Sequence, residues 1–189
     1  MNNEKKIQLT FDLEQVANDV LSKCNLISQS IRDEAMDDIK ANVLEPDNPE
    51  TRSIVNRALT EAFGEVKVIC QRYLKVGRTI DNNVLERMVK GVVYVQDSQG
   101  LDTDEIDHLI YESVKLELYI PNFNVAVTDS LKSNIHKYVV DYIMWRFLQD
   151  QLADKAGEYK TLADGEGRAK IIKDLNARDR FNMRKPAWV

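Results

Sequence analysis

The chain has 189 residues, of which 43% are hydrophobic and 30% charged, a balance typical of one globular domain with a charge-rich surface. Its 26 Lys and Arg residues against 31 Asp and Glu residues give a net charge of −5, which excludes a general basic field for nucleic acid or anionic lipid. A role in binding DNA would therefore require a local basic patch.

The two cysteines and the N-terminal residues indicate the cellular compartment that we expect for this protein. Cys24 and Cys70 each occupy an apolar position of a helical pattern, and the start "MNNEKKIQLT" has no apolar signal core. We therefore expect two buried free thiols in a reducing cytoplasm. No run of about 18 uncharged apolar residues occurs, so no transmembrane helix is predicted.

The N-terminal part of the chain predicts one strand followed by three helices. "KIQLTFDL" alternates apolar and polar residues, which is the period of a half-buried strand. Asp12 is then placed to cap a helix over residues 13–29, and a shorter helical pattern over 31–43 ends before a proline. The longest helical stripe predicts a third helix over 49–75.

The middle of the chain predicts a projecting antiparallel hairpin over about residues 91–121. Residues 114–120 alternate as a strand that a proline closes, and "GVVYVQ", residues 91–96, is the natural partner strand. The polar loop 97–105 would form the long tip of this hairpin.

The C-terminal part predicts two more helical stretches and a tail. Asp129 or Ser130 caps a helix that continues to about residue 149, and a last stretch covers about 152–178 with "DGEG" as its weak point. The tail, residues 178–189, has no helical period.

These elements predict a mainly α fold of the α+β type. We expect a helical bundle of four to five helices with a small antiparallel hairpin and a short N-terminal strand. One domain would cover residues 1–177, followed by a basic docking tail over 178–189.

Motifs for catalysis, metals or cofactors are missing from the sequence. His108 and His136 do not lie in a two-ligand motif, and the acidic run 97–105 lacks the spacing of a calcium loop. "DGEG" lacks the spacing of a phosphate-binding loop, and no nucleophile elbow is present. We therefore expect no enzyme activity, no cofactor and no metal, with the histidines solvated or in the core.

The tail reverses the charge of the chain locally. Residues 178–189 contain four basic residues and one aspartate, a local net charge of +3. Two interpretations stay open: a frayed terminus, or a tail that docks on an acidic partner or DNA. A purely solvated tail would have no use for its large apolar side chains. The candidate interaction residues in this segment are Arg180, Phe181, Arg184, Lys185 and Trp188.

The segment "HKYVVDYIMWRFLQDQ", residues 136–151, is apolar on more than one side of its helix. One interpretation is a central helix surrounded by its own domain, and the other is a helix with a second face against a neighbouring subunit. Trp145 and Arg146 are the candidate interaction residues at the edge of the core. The side chains expected inside the core are Val139, Ile143 and Phe147.

The order of elements resembles a known family. A strand ending "LELYIPN" is followed by "LKSNIHKYVVDYIMWRFLQ", then "ADKAGEYKTLADGEGRAKIIKDL" and a basic, proline-containing end. This combination resembles the head-tail connector (adaptor, or head-completion) proteins of tailed bacteriophages and prophages. The resemblance is best over about 113–189 and looser over 1–75.

The resemblance implies a non-enzymatic virion structural protein of the neck, assembled in the host cytoplasm. It implies a homo-oligomeric ring, twelve-fold like the portal above it, that contacts the portal and the tail or neck proteins. DNA would pass through the ring without sequence-specific binding, and no membrane is involved. The alternative is a helical DNA-binding or regulatory module that uses the basic C-terminal tail.

Overall fold

The computed structural model describes residues 4–30, 49–74 and 113–179, which form a mainly helical structure with a two-stranded antiparallel sheet. This confirms the predicted mainly α fold of the α+β type. A π-helical segment, Leu162–Gly167, joins the last two helices into one continuous stretch. The strands and helices are β1 (Glu4–Asp12), α1 (Leu13–Ser30), α2 (Pro49–Cys70), β2 (Ser113–Pro121), α3 (Thr128–Leu148), α4 (Ala153–Thr161) and α5 (Arg168–Leu175).

The sheet pairs β1 with β2 along their whole lengths. Its antiparallel register runs from Glu4 opposite Pro121 to Asp12 opposite Ser113. Alternate residues of β1 are buried, as the period of "KIQLTFDL" predicts. We expected residues 91–96 to pair with β2, but those residues lie outside the described part of the chain. The described partner of β2 is β1, a strand for which the sequence predicts no partner.

Local signals place the first two long helices close to their predicted bounds. The Glu14 N–H donates to Asp12 Oδ1 over 3.0 Å, which satisfies one of the free donors at the start of α1. Helix α2 begins at Pro49 and ends at Cys70, and a short 3₁₀ turn over Gln71–Tyr73 follows it. The helix predicted over 31–43 lies outside the described residues.

Helix α3 is the central element of the described structure. It contacts α1, α2, α4, the π-helical segment, α5 and β1. Asp19 of α1 binds His136, and Lys23 binds Asp141 further along α3, so α1 and α3 run parallel. The interpretation as a helix surrounded by its own domain therefore describes most of α3. Its buried side chains are Leu131, Ile135, Tyr138, Val139, Val140, Asp141, Tyr142, Ile143, Met144, Phe147 and Leu148.

The helical stretch from α4 to α5 runs antiparallel to α3. Lys160 lies beside Trp145, whereas Asp174 binds Ser130 near the opposite end of α3. A Cβ atom at Gly167 would lie 3.2 Å from the Tyr138 ring, so the glycine allows the π-helical segment to approach α3 closely. Within the described residues, no helix is both long and apolar enough to cross a membrane.

Two buried carboxylates connect α3 to its neighbours. Asp141 accepts from Lys23 Nζ of α1 over 2.5 Å. Asp174 of α5 accepts from the Ser130 hydroxyl over 2.8 Å and from the Asn134 amide over 2.7 Å. Because buried charges are costly unless they are paired or hydrogen-bonded, these contacts orient α1 and α5 on α3.

Candidate interaction surfaces

The segment that leads into the C-terminal tail is bound to the domain by backbone hydrogen bonds. The Asn124 N–H donates to the Ala177 carbonyl over 3.2 Å, and the Asp179 N–H donates to the Asn122 carbonyl over 2.9 Å. These bonds flank an antiparallel bridge between Phe123 and Arg178. We call residues 177–179 the C-terminal strap.

Side chains reinforce the C-terminal strap from two sides. Lys5 Nζ donates to Asp179 Oδ2 over 2.6 Å and to a carbonyl of the β2–α3 connection over 2.8 Å. The Arg178 guanidinium donates to the Leu175 carbonyl over 2.6 Å and to the Tyr73 hydroxyl over 3.2 Å. Arg178 and Asp179 were assigned to the tail from the sequence, yet both are bonded to the domain. The tail beyond the strap is therefore residues 180–189.

The other predicted interaction residues of the tail lie outside the described residues. Residues 180–189 contain three basic residues and no Asp or Glu, a net charge of +3. This equals the net charge of residues 178–189, because the charges of Arg178 and Asp179 cancel. The basic character of the tail therefore does not depend on the strap. The predicted residues concerned are Arg180, Phe181, Arg184, Lys185 and Trp188.

Trp145 and Arg146 lie near the C-terminal end of α3, at the edge of the core. Trp145 is half-buried, with the Lys160 ammonium 5.0 Å and the Arg146 guanidinium 5.5 Å from its ring centroid. The side chain of Arg146 is 30% exposed, and its Nε donates to Glu61 Oε2 of α2 over 2.9 Å. Both residues thus make contacts within their own chain, and Arg146 is already paired.

Trp145 continues a row of aromatic side chains on one face of α3. The Tyr142 ring lies 5.1 Å from that of Trp145 and 6.1 Å from that of Tyr138, measured between centroids. Exposure decreases along this row, from half-buried Trp145 to 9% for Tyr142 and 1% for Tyr138. The Tyr138 hydroxyl is buried and has no hydrogen-bond partner among the described residues. Its position is unusual because buried hydroxyls are normally hydrogen-bonded.

Two carboxylates on different elements, Asp164 and Glu65, act by their charge on Tyr138. Asp164 lies between Lys160, which is beside Trp145, and Gly167, which is beside Tyr138. Asp164 is exposed on the π-helical segment, four residues from Lys160 and four from Arg168.

Glu65 lies on α2 and is half-buried. It follows Glu61 by one helical turn, and α2 runs antiparallel to α3, so it lies one turn beyond the Arg146 contact in the direction of Tyr142. Neither Glu65 nor Asp164 forms an ion pair with another described residue. We call Tyr138, Tyr142 and Trp145 the aromatic row.

Burial and nearby charges shift the pKa values of Tyr138 and Tyr142. Burial raises the pKa of Tyr138 well above its usual range, and the nearby charges of Asp164 and Glu65 raise it further. Burial also raises the pKa of Tyr142, and Glu61 is the largest charge contribution there. The Arg168 charge lowers the pKa of Tyr138 and the Arg146 charge lowers that of Tyr142, so charges of both signs act on the two rings.

A cleft of about 190 Å³ lies between the first half of α2 and the end of α3. Its charged side chains are of both signs, which does not favour an anionic or a cationic ligand. Within the described residues, no group of three or more His, Cys, Asp or Glu side chains is placed to hold a metal ion. The cleft is lined by Ile54, Arg57, Ala58, Arg146, Gln149 and Asp150.

The two thiols are buried, as the sequence predicts. Burial raises the pKa of Cys24 and of Cys70 to about 12, so both are protonated at neutral pH. The Cys24 thiol lies 3.8 Å from the Met144 sulfur in the core. Neither thiol is a nucleophile in this state.

Trp145 and Arg146 stay predicted interaction residues, and both make contacts within their own chain. The helical spacing of Tyr138, Tyr142 and Trp145 was visible in the sequence, whereas nothing local indicated that Lys160 lies beside Trp145. Comparison with known proteins adds no relative: no protein-family model, curated protein or solved structure matches this chain.

Proposed function

We propose that this chain is a non-enzymatic structural protein of a tailed bacteriophage or prophage, a head-tail connector that forms a ring below the portal. In this role it joins the capsid to the tail, contacts the portal and the neck proteins, and lets DNA pass without sequence-specific binding. The resemblance of its element order over about 113–189 supports this assignment. A twelve-fold ring would match the symmetry of the portal.

The single observation that carries the proposal is the C-terminal strap. Backbone bonds, the Lys5–Asp179 ion pair of 2.6 Å and the Arg178 contacts hold the strap where the basic tail begins. A tail with a fixed origin loses less freedom on docking than one that starts from a frayed terminus. The strap therefore favours a docking tail over a frayed terminus.

The arrangement also suits subunit assembly. The strap lies near the start of α3, because Asp174 binds Ser130 three residues before it begins. Trp145 is 15 positions further along α3, about 22 Å away at 1.5 Å per residue. A protomer with different contact elements at two ends is suited to head-to-tail contacts, which close into rings when the rotation between subunits allows it.

Negative-stain electron microscopy tests this function directly. The full-length chain is imaged alone and mixed with the portal protein encoded with it, and we expect rings or portals that carry an added layer. A variant that ends at Asp179 keeps the strap and serves as the matched comparison, with fewer decorated portals expected. A full-length protein that neither forms a ring nor joins a portal would rule out the connector function.

The second candidate is a DNA-binding module, and one observation favours it: residues 180–189 contain three cations and no Asp or Glu. Three phosphate contacts would give a slope of about −2.7 in a plot of log K against log salt concentration. We would expect this binding to be lost in the variant that ends at Asp179. No binding to duplex DNA at low salt would remove this candidate.

A further inference from the structure

Helix α4 is held on α3 more weakly than α5 is. Of the residues of α4 only Ala156 is buried, whereas Ile171, Asp174 and Leu175 of the shorter helix α5 are all buried. Asp174 also accepts two hydrogen bonds from α3, over 2.8 and 2.7 Å. Because a short helix is stabilised chiefly by its buried contacts with the rest of the domain, α5 is the more firmly attached of the two.

Polar contacts do not fix α4 to its neighbours either. In the described structure its side-chain hydrogen bonds stay within the helix, from Lys155 to Glu158 and from the Thr161 hydroxyl to the Gly157 carbonyl. The N-cap residue, Leu152, makes no side-chain capping bond, so the start of the helix lacks this stabilisation.

Two cation–π contacts connect α4 to the helices beneath it. The Lys160 ammonium lies 5.0 Å from the ring centroid of Trp145 on α3, and the Lys23 ammonium of α1 lies 5.0 Å from the ring centroid of Tyr159. Contacts of this kind are weak where water reaches them. Helix α4 therefore places Lys160 over the Trp145 ring although little holds the helix there.

The regular helix is interrupted on both sides of α4. A turn over residues 149–152 precedes it, and the π-helical segment Leu162–Gly167 breaks the α-helical hydrogen-bond pattern before α5. A Cβ atom at Gly157 or Gly165 would have no neighbouring atom within 4 Å, so packing does not require glycine at either position. Each glycine lowers the stability of a helix relative to alanine. The local sequence thus weakens α4 without a benefit in packing.

We infer that α4 is a lid on the Trp145 edge of α3: it opens between residues 149–152 and the π-helical segment while α5 stays bound, and its opening uncovers the Trp145 ring. The open form gives a partner the face of Trp145 that Lys160 occupies in the closed form. The inference goes beyond the proposed function, because it concerns a single chain and does not require a ring.

Hydrogen–deuterium exchange of the full-length protein, followed by mass spectrometry, tests the lid without altering the sequence. After correction for intrinsic rates, we expect the amides of residues 153–161 to exchange at least about tenfold faster than those of 168–175. Equal protection of the two helices would mean that α4 and α5 open as one unit, and this result would overturn the inference.

Cleavage by trypsin under native conditions provides a second measurement, because a protease cuts a helix only after the helix unfolds locally. Both helices contain exposed cleavage sites, Lys155 and Lys160 in α4 and Arg168, Lys170 and Lys173 in α5. We expect the first cut within these two helices to follow Lys155 or Lys160. A first cut within α5 would contradict the lid.

Substitutions test what holds the lid closed. Gly157→Ala with Gly165→Ala should slow the exchange of α4 at least about fivefold, because both glycines weaken the helix. Gly64→Ala is the matched control: a Cβ atom there also has no neighbour within 4 Å, but Gly64 lies on α2, so the exchange of α4 should change less than about twofold. Lys160→Ala should speed the exchange of α4 by about two- to fivefold, because it removes the contact with Trp145.

The lid and the connector function can fail separately. An unchanged exchange rate in Lys160→Ala would overturn Trp145 as the surface that the lid covers, and an unchanged rate in the double glycine variant would overturn the opening of α4 as a helix weakened by these glycines. Rings formed by a protein whose α4 and α5 are equally protected would keep the connector and remove the lid. A fast-exchanging α4 in a protein that neither forms a ring nor joins a portal would do the reverse.

Discussion

Replacing Lys23 by methionine tests the charge pair that joins α1 to α3. Lys23 Nζ lies 2.5 Å from Asp141 Oδ1, and it is the only described hydrogen-bond donor to that side chain. Asp141 is 1% exposed, whereas the side chain of Lys23 is 29% exposed. Methionine keeps most of the lysine alkyl chain, so Lys23→Met removes the charge with little loss of packing.

Substituting Lys23 and substituting Asp141 should lower the free energy of unfolding by different amounts. Lys23→Met leaves a buried carboxylate without a cation, which lowers the free energy of unfolding by about 3–5 kcal/mol. Asp141→Asn leaves an ammonium that water can reach, so the loss should be near the lower end of about 1.5–3 kcal/mol. The double variant Lys23→Met with Asp141→Leu contains no uncompensated charge and should be more stable than Lys23→Met alone.

Urea unfolding followed by circular dichroism measures these differences, with equal m-values as the check that the variants unfold alike. A Lys23→Met variant within about 0.5 kcal/mol of the parent would refute the reasoning, since it would mean that water or another group neutralises Asp141. A double variant no more stable than Lys23→Met would refute it as well.

Two further predictions concern the core. Because burial raises the pKa of Cys24 and Cys70 from 9.0 to about 12, the unfolded state releases the thiol protons first as pH rises. The free energy of unfolding should therefore fall from pH 9 towards 12, by up to about 1.4 kcal/mol per pH unit and thiol. Cys70→Ala should make this fall shallower, and parallel curves would contradict the prediction. Gly167→Ala should destabilise by about 1–3 kcal/mol because its Cβ would lie 3.2 Å from Tyr138, whereas Gly157→Ala, with no atom within 4 Å, should raise the thermal midpoint.

The periodic elements could be predicted from the sequence because a period is a property of the local backbone. The alternation of Ile7, Leu9 and Phe11 places one face of β1 in the core, and the helical spacing of apolar residues locates α1, α2 and α3 within a few residues. The sequence also predicts a weak point at "DGEG", and there the structure has a π-helical segment that continues the helix.

Partners that are distant in sequence could not be predicted in this way. β1 and β2 are both alternating strands, but the sequence contains no signal for the register that places Leu9 opposite Leu116. Trp145 and Arg146 were expected at the core edge from the helical projection alone. Their contacts with Lys160 and Glu61 depend on how α4 and α2 pack against α3.

By itself, the sequence of this protein determined its helical class, the burial of the segment around "HKYVVDYIMWRFLQDQ" and the basic character of its end. Tertiary structure alone decided that Arg178 and Asp179 bind the domain, and that Trp145 lies beside Lys160. The physical reason is that periodicity and charge are local quantities, whereas these contacts form only where separate elements pack against one another.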